Sequence, residues 1–277
     1  MSPDDYCQQK TVQSGSSFYY SFLFLQPERR RAITALYAFC REVDDTVDEC
    51  TDQSIARIKL AWWRTEVSAA YRGTPTHPVM QALQPHLAPY RLEEKHLQAI
   101  IDGMEMDLDQ TRYLDFPALQ RYCWHVASVV GILSASIFGT KNAQTLAYAE
   151  KLGLAFQLTN IIRDVGEDAR KGRIYLPLSE LQQFNVTAAD LLNARHSERF
   201  ENLMRFQVAR AQKVYDEAFA LLPKEDRRAQ RPGLMMAAIY RTVLGEIERD
   251  SYRVLTQRIS LTPIRKLWLA WKTYVRG

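Results

Sequence analysis

Helical periodicity runs through this chain almost without a break, and that constrains its fold more than any other feature. Apolar residues recur at three- and four-residue intervals, and strand signals are nearly absent. The 11 glycines and 11 prolines sit mostly between the periodic stretches. Pro27-Glu28 opens a helix that runs toward Glu49, since proline tolerates the first helical position and an acid suits the positive end. Further helices are expected at about 54–72, stopping at Gly73, and at 93–111. A long apolar helix follows Phe116-Pro117 to Phe138, and another runs from about Asn142 to Asp168. Residues 74–78 and 169–185 read as turn and loop, and Thr187 with Asp190 resembles a capping box. Helices over 195–221, 233–258 and 263–274 complete the chain. With no linker, low-complexity tract or internal repeat, this is one all-α domain over 1–277, large enough to enclose a cavity.

Two helices in this reading carry matching acid stripes. Tyr37, Arg41, Asp44, Asp45 and Asp48 lie three or four apart and share a helix face. Gln157, Asn160, Arg163, Asp164 and Asp168 do the same on a helix otherwise made of Leu152, Leu154, Ala155, Phe156, Leu158, Ile161 and Ile162. A solvated acidic face would account for either stripe alone. The apolar run Tyr37-Ala38-Phe39-Cys40 before the first stripe argues against that, because uncompensated acids on a buried helix are costly. Each stripe repeats one pattern, an Arg and then Asp-x-x-x-Asp, which suggests that the two face each other.

Mg²⁺ explains these residue types. It is a hard cation, usually held by one or two carboxylates together with waters and substrate phosphates. Arg41 and Arg163 would add bidentate contacts to phosphate oxygens, so a diphosphate could leave and a carbocation form. Such a cation needs a dry pocket with π faces, for which Phe18, Tyr20, Phe22, Phe24, Tyr37, Phe39, Tyr122, Phe138, Phe156 and Tyr240 are available as well as being ordinary core aromatics. A third acidic group, Asp102, Glu105, Asp107 and Asp109, does not line one face and reads as supporting or solvated. Lys171, Gly172, Arg173 and Tyr175 form a basic loop that could close over diphosphate or remain solvated.

At the C-terminus, Ile264, Leu267, Trp268, Trp271 and Tyr274 share a stripe among Arg265, Lys266, Lys272 and Arg276. This basic amphipathic pattern suits a membrane surface or packing on the domain. The remaining composition mostly excludes functions. A net charge of +4, from 36 basic and 32 acidic residues, is too balanced to indicate nucleic acid. Cys7, Cys40, Cys50 and Cys123 form no C-x-x-C pair and read as free thiols. The five histidines show no H-x-x-x-H spacing and no nucleophile partner, which disfavours a zinc or triad hydrolase. The acidic N-terminus is unlike a secretory signal, and the longest apolar run, Val126 to Phe138, is short of the roughly 18–20 residues that a spanning helix needs. A cytoplasmic location, or at most peripheral contact with the inner membrane face, is expected.

Together the motifs resemble the squalene/phytoene synthase family. They are Ser17-Phe18-Tyr19-Tyr20-Ser21-Phe22, Leu36-Tyr37-Ala38-Phe39-Cys40-Arg41, Asp44-Asp45-Thr46-Val47-Asp48, Gln157 through Asp164 and on to Asp168, and Gly172-Arg173-Ile174-Tyr175-Leu176-Pro177. The resemblance covers nearly the whole chain and implies an all-α isoprenoid-synthase bundle with a central cavity. It implies that Asp44, Asp48, Asn160, Asp164 and Asp168 bind Mg²⁺, or Mn²⁺ in its place. It further implies that Ser17, Phe18, Tyr37, Arg41, Gln157, Arg163, Lys171, Tyr175, Tyr240 and Arg258 contact two prenyl diphosphates. Within the family, Glu28-Arg29-Arg30-Arg31-Ala32-Ile33, Leu60-Ala61-Trp62-Trp63-Arg64 and Gly103-Met104-Glu105-Met106-Asp107 are most similar to bacterial presqualene diphosphate synthases of hopanoid synthesis. The implied reaction joins two farnesyl diphosphates without NADPH, with Arg41 and Arg163 aiding ionisation. Tyr37 or Tyr175 would assist a base that stays open. Downstream isoprenoid enzymes are implied as partners, and 15-cis-phytoene synthase, acting on two geranylgeranyl diphosphates, is the alternative.

Overall fold

A computed structural model of the chain describes residues 1–14, 18–50 and 52–276. The first helix, α1 (Pro3–Gln13), is opened by a capping box in which Ser2 and Asp5 satisfy each other's backbone N–H groups. Then come α2 (Phe18–Phe22), α3 (Pro27–Asp48), α4 (Gln53–Arg72), α5 (Pro78–Leu87) and α6 (Glu94–Asp109). A continuous helical rod follows, formed by α7 (Phe116–Cys123), a π-helical turn (Trp124–Ser128) and α8 (Val129–Phe138). The second half comprises α9 (Gln144–Arg170), α10 (Leu178–Gln183), α11 (Ala188–Leu192), α12 (Glu198–Leu221), α13 (Arg231–Arg249) and α14 (Pro263–Arg276). No strand occurs among the described residues, only a single bridge between Arg112 and Ile174. The all-α expectation is met, and the capping box of Thr187 and Asp190 opens α11.

The structure adds helices where none was expected, α1, α2, α5 and α10, and it shortens another. Residues 233–258 are not one helix: α13 ends at Arg249, and Ser251 and Tyr252 take positive φ. The chain then lies against α9, where the Gly166 N–H donates to Val254 O at 3.2 Å. A Cβ at Gly166 would sit 2.2 Å from Leu255 O, so only glycine permits this approach. The rod at 116–138 also differs from expectation, since by length and composition it could cross a membrane. Here it packs inside the bundle, burying Leu119, Tyr122, Cys123, Val129, Leu133, Ala135, Ile137 and Phe138. All four cysteines are free, with Cys7 and Cys123 buried.

Two hydrophobic cores result. One gathers the apolar faces of α3 to α6 with Val129, Leu133 and Ile137 of α8; the other gathers α9, α12 and α13. Small residues let the rod and α9 nearly touch. A Cβ at Gly153 would lie 2.5 Å from Ala127 O, and one at Gly131 would lie 2.3 Å from Ala149 O. Between the cores lies an apolar cavity of about 180 Å³.

Candidate active site

The cavity is walled by α3 (Ile33, Leu36, Tyr37, Cys40), the rod (Val126, Val130, Gly131, Ser134) and α9 (Leu152, Gly153, Phe156). Along α3 and α9 the lining runs from apolar residues to the acid stripes: Tyr37 and Cys40 precede Asp44, and Gln157 and Asn160 precede Asp164. The aromatic lining is clustered, with Phe18 5.9 Å from Tyr37 and 6.1 Å from Phe156, and Phe156 5.0 Å from Tyr240, between ring centroids.

On α3, Arg41 forks onto Asp44 at 2.6 Å and Asp45 at 2.5 Å. Lys10 of α1 reaches Asp45 at 2.8 Å. Burial pushes the Asp44 carboxyl up to about 6; Arg41 pulls it down, and the nearby carboxylates of Asp48, Asp45 and Asp107 raise it further. On α9, Arg163 holds Asp164 with both Nε and Nη2, at 2.8 and 2.5 Å. Arg258, delivered by the segment lying on Gly166, donates to Asp164 Oδ1 at 2.8 Å. Burial raises the Asp164 carboxyl, but the two guanidinium groups outweigh it and hold the group below its ordinary value. Asp168, one turn on, has no such ion pair among the described residues; burial and the charges of Asp164 and Glu167 push it up to about 7, against the pull of Lys171 and Arg173.

The two stripes are tied together. Asp48 of α3 accepts from Lys171 Nζ at 3.1 Å and Arg173 Nη1 at 2.8 Å, both just past Asp168 at the end of α9. That basic segment is anchored from behind. Asp107, only 8% exposed, accepts from the hydroxyls of Tyr175 and Tyr122, each at 2.8 Å. Burial raises the Asp107 pKa, and the two hydroxyl donors partly offset it.

The acid stripes suit a hard divalent cation. Among the described residues no three acidic, His or Cys side chains converge to hold an ion unaided, and most of the carboxylates are occupied by Arg and Lys. Three features nevertheless fit a cation shared with a phosphate-bearing ligand. Every donor is an oxygen. Asn160 Oδ1, between Gln157 and Asp164, is buried without a partner. Burial, and then the neighbouring carboxylates, raise the pKa of Asp44 and Asp168, a cost that a bound cation would relieve.

Most of the residues expected from the sequence come together here: Phe18, Tyr37, Arg41, Asp44, Asp48, Gln157, Asn160, Arg163, Asp164, Lys171, Tyr240 and Arg258. Asp168 joins them from the end of α9. Ser17 lies outside the described residues. Tyr175 is present but does not line the cavity, because its hydroxyl points to Asp107. The third acidic group divides. Asp102 and Glu105 pair with Arg64 at 2.5 and 2.8 Å, and Asp109 pairs with Arg57 at 2.6 Å. Only Asp107 joins the site. Spacing could have flagged it, since Asp107 falls on the buried stripe of Ile100, Gly103 and Met104. Arg173 of the basic loop and Tyr122, one of the candidate aromatics, also belong to the neighbourhood, as does Lys266, near Arg163 and Arg258, which the sequence placed only beside the C-terminal stripe.

Known proteins resemble this chain in sequence and fold. Residues 11–265 match the family model described as squalene/phytoene synthase. A phytoene synthase of Arthrospira platensis is 39% identical, covering 94% of this chain and 89% of that protein. A 15-cis-phytoene synthase of Synechocystis is 36% identical over 96% of this chain and 83% of that protein. Among solved structures, a dehydrosqualene synthase superposes with a TM-score of 0.87 at 27% identity, covering 99% of this chain and 96% of that one. A squalene synthase from Alicyclobacillus acidocaldarius gives 0.81 at 29% identity, covering 90% and 94%. With this helical bundle, its apolar cavity and its paired Asp/Arg stripes, the chain belongs to the squalene/phytoene synthase family of head-to-head prenyl synthases, which bind two prenyl diphosphates.

Proposed function

We propose that the protein joins two geranylgeranyl diphosphates head to head, giving 15-cis-phytoene and two diphosphates. The observation that carries the chemistry is the pair of Asp/Arg stripes at one end of an apolar chamber, linked through Asp48, Lys171 and Arg173. The relatives named phytoene synthase, at 39% and 36% identity, support the longer substrate over the farnesyl diphosphate that the sequence motifs favoured. Condensation of two farnesyl diphosphates to presqualene diphosphate is the second reading, supported by the likeness to dehydrosqualene and squalene synthases.

Both readings use this chain's residues alike. Asp44, Asp48, Asn160, Asp164 and Asp168 would hold Mg²⁺ or Mn²⁺, which neutralises diphosphate and makes it a better leaving group. Arg41, Arg163, Lys171, Arg173 and Arg258, now on carboxylates, would bind phosphate oxygens if divalent charge took their place on the acids. The allylic C–O bond of one substrate breaks and its electron pair leaves with diphosphate. The alkene of the other attacks the cation, and a proton is lost as the cyclopropane closes. For phytoene the second diphosphate then leaves and a second proton is lost. Phe18, Phe156 and Tyr240 present π faces to the cation and keep water out. Tyr37, on the chamber wall with its hydroxyl 3.0 Å from Ser14 Oγ, is better sited than Tyr175 to assist proton removal.

The same reading puts the enzyme on an anionic membrane at the cytoplasmic face. The stripe Ile264, Leu267, Trp268, Trp271 and Val275 of α14 is exposed, from 45% at Leu267 to 83% at Ile264. The helix contains no acid and carries Arg265 and Lys272 beside the stripe. Flotation with anionic vesicles should recover the wild type and lose the Trp268→Ser/Trp271→Ser protein. Equal recovery of both sinks the membrane reading.

The deciding assay supplies geranylgeranyl or farnesyl diphosphate with Mg²⁺ or with EDTA, followed by mass analysis. Phytoene from the C20 substrate supports the first reading. Presqualene diphosphate from C15, with C20 left unused, replaces it by the second. Undiminished turnover in EDTA overturns the metal, and no product from either substrate overturns the whole reading.

A further inference from the structure

The end of the chamber remote from the acid stripes is a rigid seal with one removable part. Its wall includes Phe138 at the end of α8, Tyr148 near the start of α9, and Gln230 and Gly233 at the start of α13. From Asn160 to Tyr148 is twelve residues of α9, about 18 Å at 1.5 Å per residue. A prenyl tail whose diphosphate is held at the stripes therefore points along α9 toward Tyr148.

Polar contacts pin most of this end. Asp226, 1% exposed, accepts from the backbone N–H groups of Lys141 and Asn142, at 2.9 and 3.0 Å, and from Thr145 Oγ1 at 2.6 Å. Gln230 Nε2 donates to Ala135 O at 3.2 Å and Gly139 O at 2.9 Å. Arg29 grips the carbonyl of Phe138. These contacts fix the backbone of α8, α9 and α13 around the floor. Tyr148 takes no part in them. It is 1% exposed, and among the described residues its buried hydroxyl has no hydrogen-bond partner, so packing holds it. Opposite stands Gly233, where an added Cβ would meet Tyr148 Oη at 3.1 Å and Leu152 Cδ2 at 3.3 Å. An added methyl there would be tight, so its neighbours would have to yield, and a change at either position alters the depth of the chamber.

We propose that Tyr148 and Gly233 form the stop that sets the longest prenyl chain this chamber accepts. The inference rests on the reading of the protein as a head-to-head synthase that consumes two prenyl diphosphates, and adds the residues that choose the chain length. Removing the Tyr148 ring extends the floor. Adding a methyl at Gly233 pushes the Tyr148 and Leu152 side chains inward and shortens it.

The test uses the full-length protein and inert thiolo-diphosphates of C15, C20 and C25 chains, with binding measured by calorimetry, and kcat/KM on the corresponding natural substrates. Tyr148→Ala should shift the preference toward the longer chain by about tenfold or more, and Gly233→Ala should shift it the other way by a similar factor. Tyr148→Phe, which keeps the ring and drops only the unpaired hydroxyl, should keep the wild-type ratio. Tyr148→Leu serves if the alanine variant does not fold. Folded variants whose chain-length ratios all match the wild type overturn the stop. A wild-type protein that binds these ligands but turns over none of the substrates overturns the proposed function instead, and the binding ratios still decide the stop.

Discussion

Replacing Asp107 tests whether a buried cluster behind the acid stripes holds the basic segment in place. Its two oxygens each accept a tyrosine hydroxyl at 2.8 Å, and the rings of Tyr113, Tyr122 and Tyr175 stack around it with centroids 5.2 to 5.9 Å apart. A hydrogen bond to a charged acceptor is worth about 1.5–3 kcal/mol. Burial of the carboxylate, which raises its pKa, works against that gain. Asp107→Asn keeps one oxygen acceptor, loses one charge-assisted bond and relieves the buried charge, for a net loss of about 1–2 kcal/mol. Asp107→Ala leaves both hydroxyls unpaired beside a small void, for a loss of about 3–5 kcal/mol.

Equilibrium urea unfolding at neutral pH reads these losses as a shift of midpoint at constant slope. Because Asp107 and Tyr175 share a bond, Asp107→Ala and Tyr175→Phe should couple. The double variant should be more stable than the sum of the single losses predicts, by about 1–2 kcal/mol. Tyr175 lies two residues beyond Arg173, which holds Asp48, so the Asp107 variants should also lose turnover while remaining folded. Strict additivity, or an Asp107→Ala protein as stable as the wild type, would refute the assignment of a structural anchor.

Asp164→Ala removes the carboxylate shared by Arg163 and Arg258 and should lower kcat by about 10²–10³-fold with an unchanged far-ultraviolet spectrum, as checked by product assay beside circular dichroism. Asp226→Ala leaves two backbone N–H groups and the Thr145 hydroxyl without their acceptor and should cost about 3 kcal/mol in urea unfolding. His86, 8% exposed, has a pKa lowered by burial, so the fold holds it neutral. Its contribution is fully present above its unfolded value of about 6.5 and is lost as pH falls toward the folded one. His86→Leu should therefore show a smaller drop in stability between pH 7 and pH 5 than the wild type. Equal drops would show that the group carries no linkage.

Whether a feature can be read from the sequence depends on whether one helix alone decides it. Asp44 with Asp48, and Asp164 with Asp168, fall on one face by helical phase whatever surrounds them, so spacing alone makes the acid stripes legible. The same phase puts Asp107 on the buried side of α6, away from Asp102, Glu105 and Asp109, but four acids within eight residues mask it. Features that join distant segments leave no such mark. That Lys171 and Arg173 cross to Asp48 depends on how α3 and α9 lie across the chamber. The end of α13 at Arg249 escapes a sequence reading because nothing local stops the helix; the chain turns there to lie on Gly166, more than eighty residues earlier, and so carries Arg258 to Asp164. The chamber floor is the extreme case, because Tyr148, Gln230 and Gly233 have no common spacing and only α9 meeting α13 brings them together. Helical phase therefore reveals where the charge chemistry sits, whereas substrate length is written in contacts between helices, where a single methyl at Gly233 matters and no pattern in one helix reports it.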